Sequence, residues 1–226
     1  MELVIYDTAE QAAAGAAQRI ADLIADAPDT FTLGLTGGST SATTYEALRS
    51  LSTGWERVEA WLSDERWVPH DHDRSNGRMA AETLMDHVQA RFHRPRWSAE
   101  LEPADSAAHY EEVLRSLHTT KPPDLILLGM GEDAHTASLF PGSEALEEDT
   151  RWFVSNTIPE TGEHRLTSTY PLLWSARRLM VITAGEKKAP ALRDTFEGNE
   201  TPIGKIGEGD AKVEWHVDRP AVSLLS

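Results

Sequence analysis

Short apolar runs alternate along this chain with longer segments in which apolar residues recur every three or four positions. The runs occupy residues 3–6, 31–35, 58–62, 125–128, 152–154, 179–183 and 213–217. Runs of this kind predict strands, and the periodic segments between them predict helices that each bury one face. The alternation of strand and helix favours an α/β fold with a mainly parallel sheet covered by helices.

The first helix carries the clearest signals. Thr8 and Gln11 fit a capping box, in which two side chains satisfy free amides at a helix start. The helix ends at Pro28 and shows one apolar face, formed by Ala13, Ala16, Ala17, Ile20 and Ile24. Further helices are predicted over about 41–49, 75–92 and 187–196 and after Asp105, with irregular chain over 69–74 and 94–103. Residues 213–217 are predicted to alternate their faces.

The apolar run at 125–128 leads directly into the most informative segment of the chain. Gly129 and Gly131 allow a sharp turn and a close approach to a ligand, and Asp133 and His135 follow. In open α/β sheets ligands bind at the carboxyl ends of the strands, and an imidazole held there can act as a general base. His135 could instead only cap a helix or hydrogen-bond the turn. The surrounding glycines and acids favour the catalytic interpretation.

A second turn, residues 36–40, reads Thr-Gly-Gly-Ser-Thr between a predicted strand and a predicted helix. Exposed backbone amides, hydroxyls and a helix N-terminus form a phosphate cradle. A simple glycine turn with a serine cap would look the same. The turn lacks the Gly-x-Gly-x-x-Gly spacing of dinucleotide sites, and it lacks the last glycine of a nucleophile elbow. Ser39 is therefore not expected to be a covalent nucleophile.

Charge and composition narrow the possible partners. The 226 residues include 21 basic and 37 acidic side chains, a net charge of −16, and no cysteine. This balance argues against nucleic-acid and anionic-membrane surfaces and excludes disulfides and thiol chemistry. An anionic substrate would need a local cluster of cations. The chain shows no charged leader and no apolar run near the ~20 residues of a membrane helix, so one cytoplasmic domain is expected.

Two cations and one loop are candidates for ligand binding. Arg66, where the third predicted strand ends, could clamp phosphate oxygens or could form a surface ion pair with Asp64 and Glu65. Lys188 stands beside Lys187 at the start of a predicted helix, where a lysine could bind a ligand or remain solvated. Residues 70–73, His-Asp-His-Asp, contain metal-binding side chains, but their spacing fits no metal signature. We expect a polar loop there and no metal.

The segment at residues 129–142 resembles the signature of the 6-phosphogluconolactonases. Four further blocks match that family in the same order: residues 35–40, residues 64–69 with Ser75 and Asn76, residues 164–167, and residues 185–188. The resemblance covers nearly the whole chain, and the central block is highly specific. Two residues depart from the family pattern: Ala134 stands where glycine is usual, and Ser41 where proline is usual.

The resemblance implies a single three-layer, Rossmann-like α/β domain over residues 1–226. It implies hydrolysis of 6-phospho-D-glucono-1,5-lactone to 6-phospho-D-gluconate in the oxidative pentose phosphate pathway, without metal or cofactor. The implied general base is His135, oriented by Asp133, with amides of the 129–131 turn as candidate oxyanion donors. The implied substrate-binding residues are Thr36, Gly37, Gly38, Ser39, Asp64, Arg66, Arg165 and Lys188. The family pattern Gly-x-x-Lys selects Lys188 over Lys187, which is expected to be solvated. A monomer or a small homo-oligomer is expected.

Two alternatives remain. A glucosamine-6-phosphate deaminase or isomerase has a similar Asp-x-His segment, but its signature continues with Asn-Glu-Pro, and no glutamate stands at the matching place here. Arg66 also replaces the tyrosine that those enzymes usually show after Asp-Glu. A non-catalytic sugar-phosphate sensor would carry a DNA-binding helix-turn-helix, for which this chain leaves no room, and its acidity disfavours DNA.

Overall fold

A seven-stranded parallel sheet forms the centre of the part of the chain that the computed structural model describes, residues 1–51 and 54–225. Its strands are β1 (Glu2–Tyr6), β2 (Phe31–Leu35), β3 (Val58–Leu62), β5 (Arg91–His93), β6 (Leu125–Leu128), β9 (Arg178–Thr183) and β10 (Lys212–Asp218). They lie in the order β1-β10-β9-β6-β2-β3-β5, with every neighbouring pair parallel. The predicted parallel α/β sheet is confirmed.

A second, antiparallel sheet of three strands stands beside the first within the described residues. It contains β4 (Asp64–Arg66), β7 (Phe153–Thr157) and β8 (His164–Ser168), in the order β4-β8-β7. The sequence interpretation missed this sheet: it read Asp64 to Arg66 as the end of the third strand and gave residues 164–167 no strand. Both segments are short and partly polar, so only their pairing with each other identifies them as strands.

Helices connect the strands of the main sheet. They are α1 (Ala9–Ala25), α2 (Ser39–Leu48), α3 (Asn76–Thr83), α4 (Pro103–Leu117), α5 (Tyr170–Ser175) and α6 (Ala189–Phe196). The predicted apolar face of α1 is buried. At its start the amide of Gln11 donates to Thr8 Oγ1 at 3.3 Å, but the Gln11 side chain accepts from Asp7 N, one residue before the position predicted by the capping box.

Helices differ from the sequence prediction in several places: α1 ends at Ala25, before Pro28, and α5 was not predicted. The segment 75–92 is a short α3, a 3₁₀ turn (Met85–His87) and β5, because the chain there turns to pair with β3 at the sheet edge. Helix α2 begins at Ser39, two positions early. Helix α4 begins at Pro103, since proline suits the first turn of a helix. A 3₁₀ turn, Glu186–Lys188, precedes α6.

Two apolar clusters cover the main sheet. Successive residues of a strand point to opposite faces, so Ile126 and Leu128 belong to one cluster while Leu125 and Leu127 belong to the other. In β10 the residues alternate between faces: Val213, Trp215 and Val217 belong to one cluster, while Glu214, His216 and Asp218 form a polar opposite face that is also buried. No helix among the described residues is long and apolar enough to cross a membrane.

The strand order places a switch point between β2 and β6. From β2 the chain continues to β3 on one side, and from β6 it continues to β9 on the other side. The loops that leave these two central strands therefore diverge and open a crevice at the carboxyl end of the sheet. Such crevices are where open α/β sheets bind ligands.

Candidate active site

A cavity of about 250 Å³ occupies this crevice. The loops after β2, β6 and β9 meet there with residues of β4 and α3. The sequence-predicted residues that line it are Thr36, Gly37, Gly38, Ser39, Asp64, Arg66, His135 and Lys188. Further lining residues include Thr40, Ser41, Asn76, Gly129, Met130, Gly131, Ala137, Ile182, Thr183 and Ala184. The cavity thus brings together segments that lie far apart in the sequence.

The turn after β6 is closed by its own backbone. Gly131 N donates to the carbonyl of His135 at 2.9 Å, and Thr136 Oγ1 donates to the carbonyl of Gly129 at 3.0 Å. A Cβ at Gly131 would lie 2.1 Å from His135 Nδ1, so only glycine fits at this position. Because the Gly131 amide is already bonded within the turn, it is not free to stabilise an oxyanion.

Two alanines in this turn have left-handed backbone conformations. Ala134 has φ of 63° and Ala137 has φ of 48°, so His135 lies between two strained residues. This explains why glycine is usual at the position of Ala134, since a side chain in this region costs about 1–2 kcal/mol. Ala134 is also fixed from outside, because its carbonyl accepts from Ile203 N at 3.1 Å.

The imidazole of His135 is held on its edge and on its face. Its Nδ1 lies 2.5 Å from Asp133 Oδ1, and the ring centroid of Phe140 lies 4.3 Å from its own. With Nδ1 engaged by a carboxylate, Nε2 is the nitrogen left to exchange a proton. Burial raises the pKa of Asp133, but the hydrogen bond and charge of His135 outweigh it and hold that pKa below its ordinary value.

Asp133 itself does not line the cavity, and it contacts the ligand space only through His135. Its predicted role as the orienting carboxylate is compatible with this position. Phe140 was not singled out by the sequence interpretation. It stands within the family-like block at 129–142, but an aromatic residue there reads equally well as a core residue.

The turn after β2 leads into the N-terminus of α2. Gly38 is the N-cap, with φ of 105°, and no side chain caps the helix. The first amides of a helix have no partner within it, so this end presents donors and partial positive charge to the cavity. The Thr36 amide is not among them, because it donates to Tyr45 Oη at 2.9 Å. Gly37 packs so closely on Asn76 that a Cβ would lie 2.0 Å from Asn76 Oδ1.

Arg66 and Lys188 supply the cationic side chains of the cavity. Arg66 extends from β4, and its Nη1 donates to the carbonyl of Arg74 at 2.6 Å. Lys188 is half-buried at the N-terminus of α6, while Lys187 is exposed, as predicted. Burial lowers the pKa of Lys188, and the nearby Glu132 and Asp133 only partly oppose that shift.

Arg165 faces a different environment. It pairs with Arg66 across β4 and β8, but its guanidinium binds Glu163 Oε2 at 2.9 Å and the carbonyl of His164 at 3.1 Å. Its side chain is only 12% exposed and does not line the cavity. In this structure Arg165 therefore stabilises the antiparallel sheet that carries Arg66.

A buried polar network supports Asp64 at the cavity wall. Asn76 Nδ2 donates to Asp64 Oδ1 at 3.1 Å, and Ser138 Oγ donates to Asp64 Oδ2 at 2.9 Å. Asn76 begins α3, where Glu65 accepts from the amides of Asn76 and Gly77 and so caps the helix. The sequence interpretation gave Asn76 and Ser138 no role, although both belong to family-like blocks.

The His-Asp-His-Asp loop has other partners. His70 Nε2 contacts the carbonyl of Pro95, His72 Nδ1 accepts from Arg74 N, and Asp73 binds Arg78. Across residues 1–51 and 54–225, no three histidine, aspartate or glutamate side chains are grouped so that they could hold a metal ion.

This chain is similar to known proteins both in sequence and in fold. A 6-phosphogluconolactonase from Nostoc sp. is 38% identical over 206 residues, covering 87% of this chain and 85% of that protein. A solved 6-phosphogluconolactonase from Shewanella baltica is 26% identical, with a TM-score of 0.88 and coverage of 96% and 97%. A solved monomeric glucosamine-6-phosphate deaminase, 24% identical, has a TM-score of 0.85 over 99% of this chain and 100% of its own.

The fold alone is therefore common to lactonases and deaminases. The sequence match covers residues 7–215, and the family that it identifies, described as glucosamine-6-phosphate isomerases/6-phosphogluconolactonase, also includes both activities. That match includes both loops of the switch point, the strand that carries Arg66 and the turn that carries His135. This chain belongs to the family of glucosamine-6-phosphate isomerases and 6-phosphogluconolactonases.

Proposed function

We propose that this protein hydrolyses 6-phospho-D-glucono-1,5-lactone to 6-phospho-D-gluconate, the lactonase step of the pentose phosphate pathway. The observation that carries the proposal is the pair formed by His135 and Asp133, whose nitrogen and oxygen lie 2.5 Å apart at the wall of a cavity that also holds Arg66 and Lys188. A base and an anion-binding region in one cavity suit a phosphorylated ester. Relatives named 6-phosphogluconolactonase support it.

The phosphate binds between the N-terminus of α2 and the two cations. Backbone amides and the hydroxyl of Ser39 donate to its oxygens, while Arg66 and Lys188 neutralise its charge. The net charge of −16 makes these local cations essential, because the field of the whole chain repels an anionic substrate. Lys188 lies near Glu132 and Asp133, and a bound phosphate would favour its charged form.

His135 Nε2 takes a proton from a water molecule as the water oxygen bonds to the lactone carbonyl carbon. The carbonyl electron pair moves to oxygen and forms a tetrahedral intermediate. When that intermediate collapses, the bond between the carbonyl carbon and the ring oxygen breaks, and His135 returns the proton to the ring oxygen. Asp133 accepts from Nδ1 throughout and stabilises the transient imidazolium.

The deaminase alternative is weaker because that reaction needs a further carboxylic acid to move protons on an open-chain sugar. The chain after His135 reads Thr-Ala-Ser-Leu-Phe-Pro-Gly, without an acidic residue. The ring of Phe140 covers the imidazole face instead. The sensor alternative has no specific support among the described residues.

A direct assay separates these functions. Purified protein is expected to hydrolyse freshly prepared 6-phosphogluconolactone above the spontaneous rate and to release no ammonia from glucosamine-6-phosphate. Arg66→Ala is expected to raise the KM for the phosphorylated lactone at least about tenfold, and that for unphosphorylated gluconolactone much less. Ammonia release without lactone hydrolysis would overturn the proposal. If Arg66→Ala raises the KM for both lactones by the same factor, Arg66 does not bind phosphate.

We also propose a single domain over residues 1–226, a cytoplasmic location, and a monomer or small homo-oligomer. The acidic surface and the absence of cysteine support a cytoplasmic enzyme without nucleic-acid or membrane partners. Light scattering coupled to size-exclusion chromatography measures the oligomeric state directly.

A further inference from the structure

Asp64 is an unusual side chain for a cavity that binds an anion. Asp64 is only 5% exposed and lines the same cavity as Arg66 and Lys188. Its hydrogen-bond partners among the described residues are two neutral donors, Asn76 Nδ2 and Ser138 Oγ. A carboxylate at this wall places oxygen acceptors, and no hydrogen-bond donor, next to the ligand space, which suits a phosphate group poorly because phosphate oxygens are acceptors as well.

Both donors are themselves fixed. Asn76 is 2% exposed, and its backbone amide donates to Glu65 Oε1 at 2.7 Å. Ser138 is 1% exposed; its amide donates to Thr167 Oγ1 at 3.0 Å, and its carbonyl accepts from Asn156 Nδ2 at 2.7 Å. The orientation of the Asp64 carboxylate is therefore set by the antiparallel sheet and by α3.

The same two donors connect Asp64 to the turn after β2, which is assigned to phosphate, and to the turn after β6, which is assigned to proton transfer. Asn76 packs against Gly37 in the turn assigned to phosphate. Ser138 follows His135 by three residues in the turn assigned to proton transfer. Asp64 is thus tied to both ends, in a position to contact the middle of a ligand that spans them.

An ionised carboxylate has about four acceptor sites, of which the two donors occupy two. The remaining sites match hydroxyl groups, which donate hydrogen bonds without adding negative charge. We propose that Asp64 is a specificity-determining residue that accepts a hydrogen bond from a ring hydroxyl of the substrate, and that Ser138 and Asn76 are its positioning residues. This inference rests on the proposed function, because it takes the substrate to be a phosphorylated sugar lactone.

The test compares the parent lactone with its 2-deoxy, 3-deoxy and 4-deoxy analogues on wild-type protein and on Asp64→Ala. Wild-type kcat/KM is expected to fall about 10- to 1,000-fold for one analogue, because a buried acceptor loses its donor. In Asp64→Ala the kcat/KM for the parent lactone is expected to fall by a similar factor. Its kcat/KM for that analogue is expected to equal its value for the parent. If Asp64→Ala keeps the wild-type discrimination against every analogue, the inference is wrong.

Positioning is tested with Ser138→Ala. This change is expected to reduce the same discrimination about 3- to 10-fold while leaving the preference for phosphorylated over unphosphorylated lactone unchanged. Ser143→Ala is the matched control, since Ser143 is also buried and its hydroxyl has no hydrogen-bond partner among the described residues. Equal effects of the two serine changes would exclude a positioning role. Asp64→Asn, of nearly equal size, replaces Asp64→Ala if the alanine variant does not fold.

Binding of 6-phosphogluconate and its deoxy analogues, measured by calorimetry, separates this inference from the proposed function. The hydroxyl contact is supported if the wild type binds one deoxy acid more weakly than 6-phosphogluconate and Asp64→Ala binds the two equally. This result would hold even if no lactone is hydrolysed. Hydrolysis of the lactone with no discrimination that depends on Asp64 supports the function and overturns the hydroxyl contact.

Discussion

At the scale of single residues, the proposed chemistry depends on His135. Its ring is fixed by Asp133 at 2.5 Å and by Phe140 across a centroid distance of 4.3 Å, while the phosphate partners belong to other segments. A residue in this position contributes to the transition state more than to ground-state binding. Binding and turnover are therefore expected to respond differently when it is removed.

Replacing His135 with alanine is expected to lower kcat by about 10² to 10⁴ and to change the affinity for 6-phosphogluconate by less than about threefold. The fold should be retained, since the ring faces the cavity. The rate must be corrected for spontaneous lactone hydrolysis, which would otherwise mask the loss. A near-normal kcat with an intact fold would make Asp133 or Asp64 the better candidate base.

The backbone next to His135 gives a second residue-scale prediction. Ala134→Gly relieves about 1–2 kcal/mol of left-handed strain. The change also removes a buried methyl group, which costs about 0.8 kcal/mol of stability. It raises the conformational entropy of the unfolded chain, which costs about 0.4–1 kcal/mol more. These effects nearly cancel, which explains how alanine persists at a position that favours glycine.

We therefore expect Ala134→Gly to change the free energy of unfolding by less than about 1 kcal/mol, and Ala134→Val to lower it by more than about 2 kcal/mol. Chemical denaturation of the three proteins measures both values. Tolerance of valine would show that the φ of 63° at Ala134 is not maintained in solution.

At the scale of elements, the N-terminus of α2 brings Ser39 to the cavity, and the 3₁₀ turn that precedes α6 brings Lys188 to it. Helix N-termini favour anions but do not select among them. Selection for phosphate therefore depends on the side chains that join these ends. Lys188 and its neighbour Lys187 offer a natural comparison, since one is half-buried beside the cavity and the other is exposed.

Lys188→Ala is expected to weaken binding of 6-phosphogluconate about 10-fold or more, while Lys187→Ala changes it less than about twofold. Because burial lowers the pKa of Lys188, wild-type affinity should fall as the pH rises through that lowered pKa, before an ordinary lysine would lose its proton. Calorimetric titrations over neutral to alkaline pH measure this. A pH response that survives in Lys188→Ala would assign it to another group.

At the scale of the whole molecule, two buried histidines link folding stability to pH. His118 lies among Trp61 and Trp152, and neither of its ring nitrogens has a hydrogen-bond partner among the described residues. Burial lowers its pKa to about 4, against an opposing effect of Asp124. Burial also lowers the pKa of His216.

A histidine with a lowered native pKa binds protons more readily in the unfolded chain, so acid favours unfolding. The stability from His118 is complete above its ordinary pKa and is lost as the pH falls from about 6.5 toward 4, by about 2 kcal/mol at pH 5. His118→Leu should show a smaller loss of stability between pH 7 and pH 5 than the wild type. His109→Gln, at a partly exposed helix position, is the control. Identical pH profiles for all three proteins would contradict the assignment.

Apolar runs in the sequence were enough to predict six of the seven strands of the main sheet, all except β5, and the loops that follow β2 and β6. Strands β2, β3 and β6 begin and end where their largely apolar runs begin and end, because strands buried on both faces contain few polar residues. The glycine turns after β2 and β6 follow directly from those boundaries. His135, Asp133 and Gly37 could therefore be singled out without coordinates.

Which polar residues share the cavity depends instead on contacts between segments that are distant in the sequence. The antiparallel sheet of β4, β8 and β7 forms through pairing between distant, partly polar segments, and no local pattern predicts such pairing. That sheet carries Arg66 to the cavity and leaves Arg165 bound to Glu163. Asn76 and Ser138 contact Asp64 through hydrogen bonds that depend on distance and direction, which residue type and spacing do not encode.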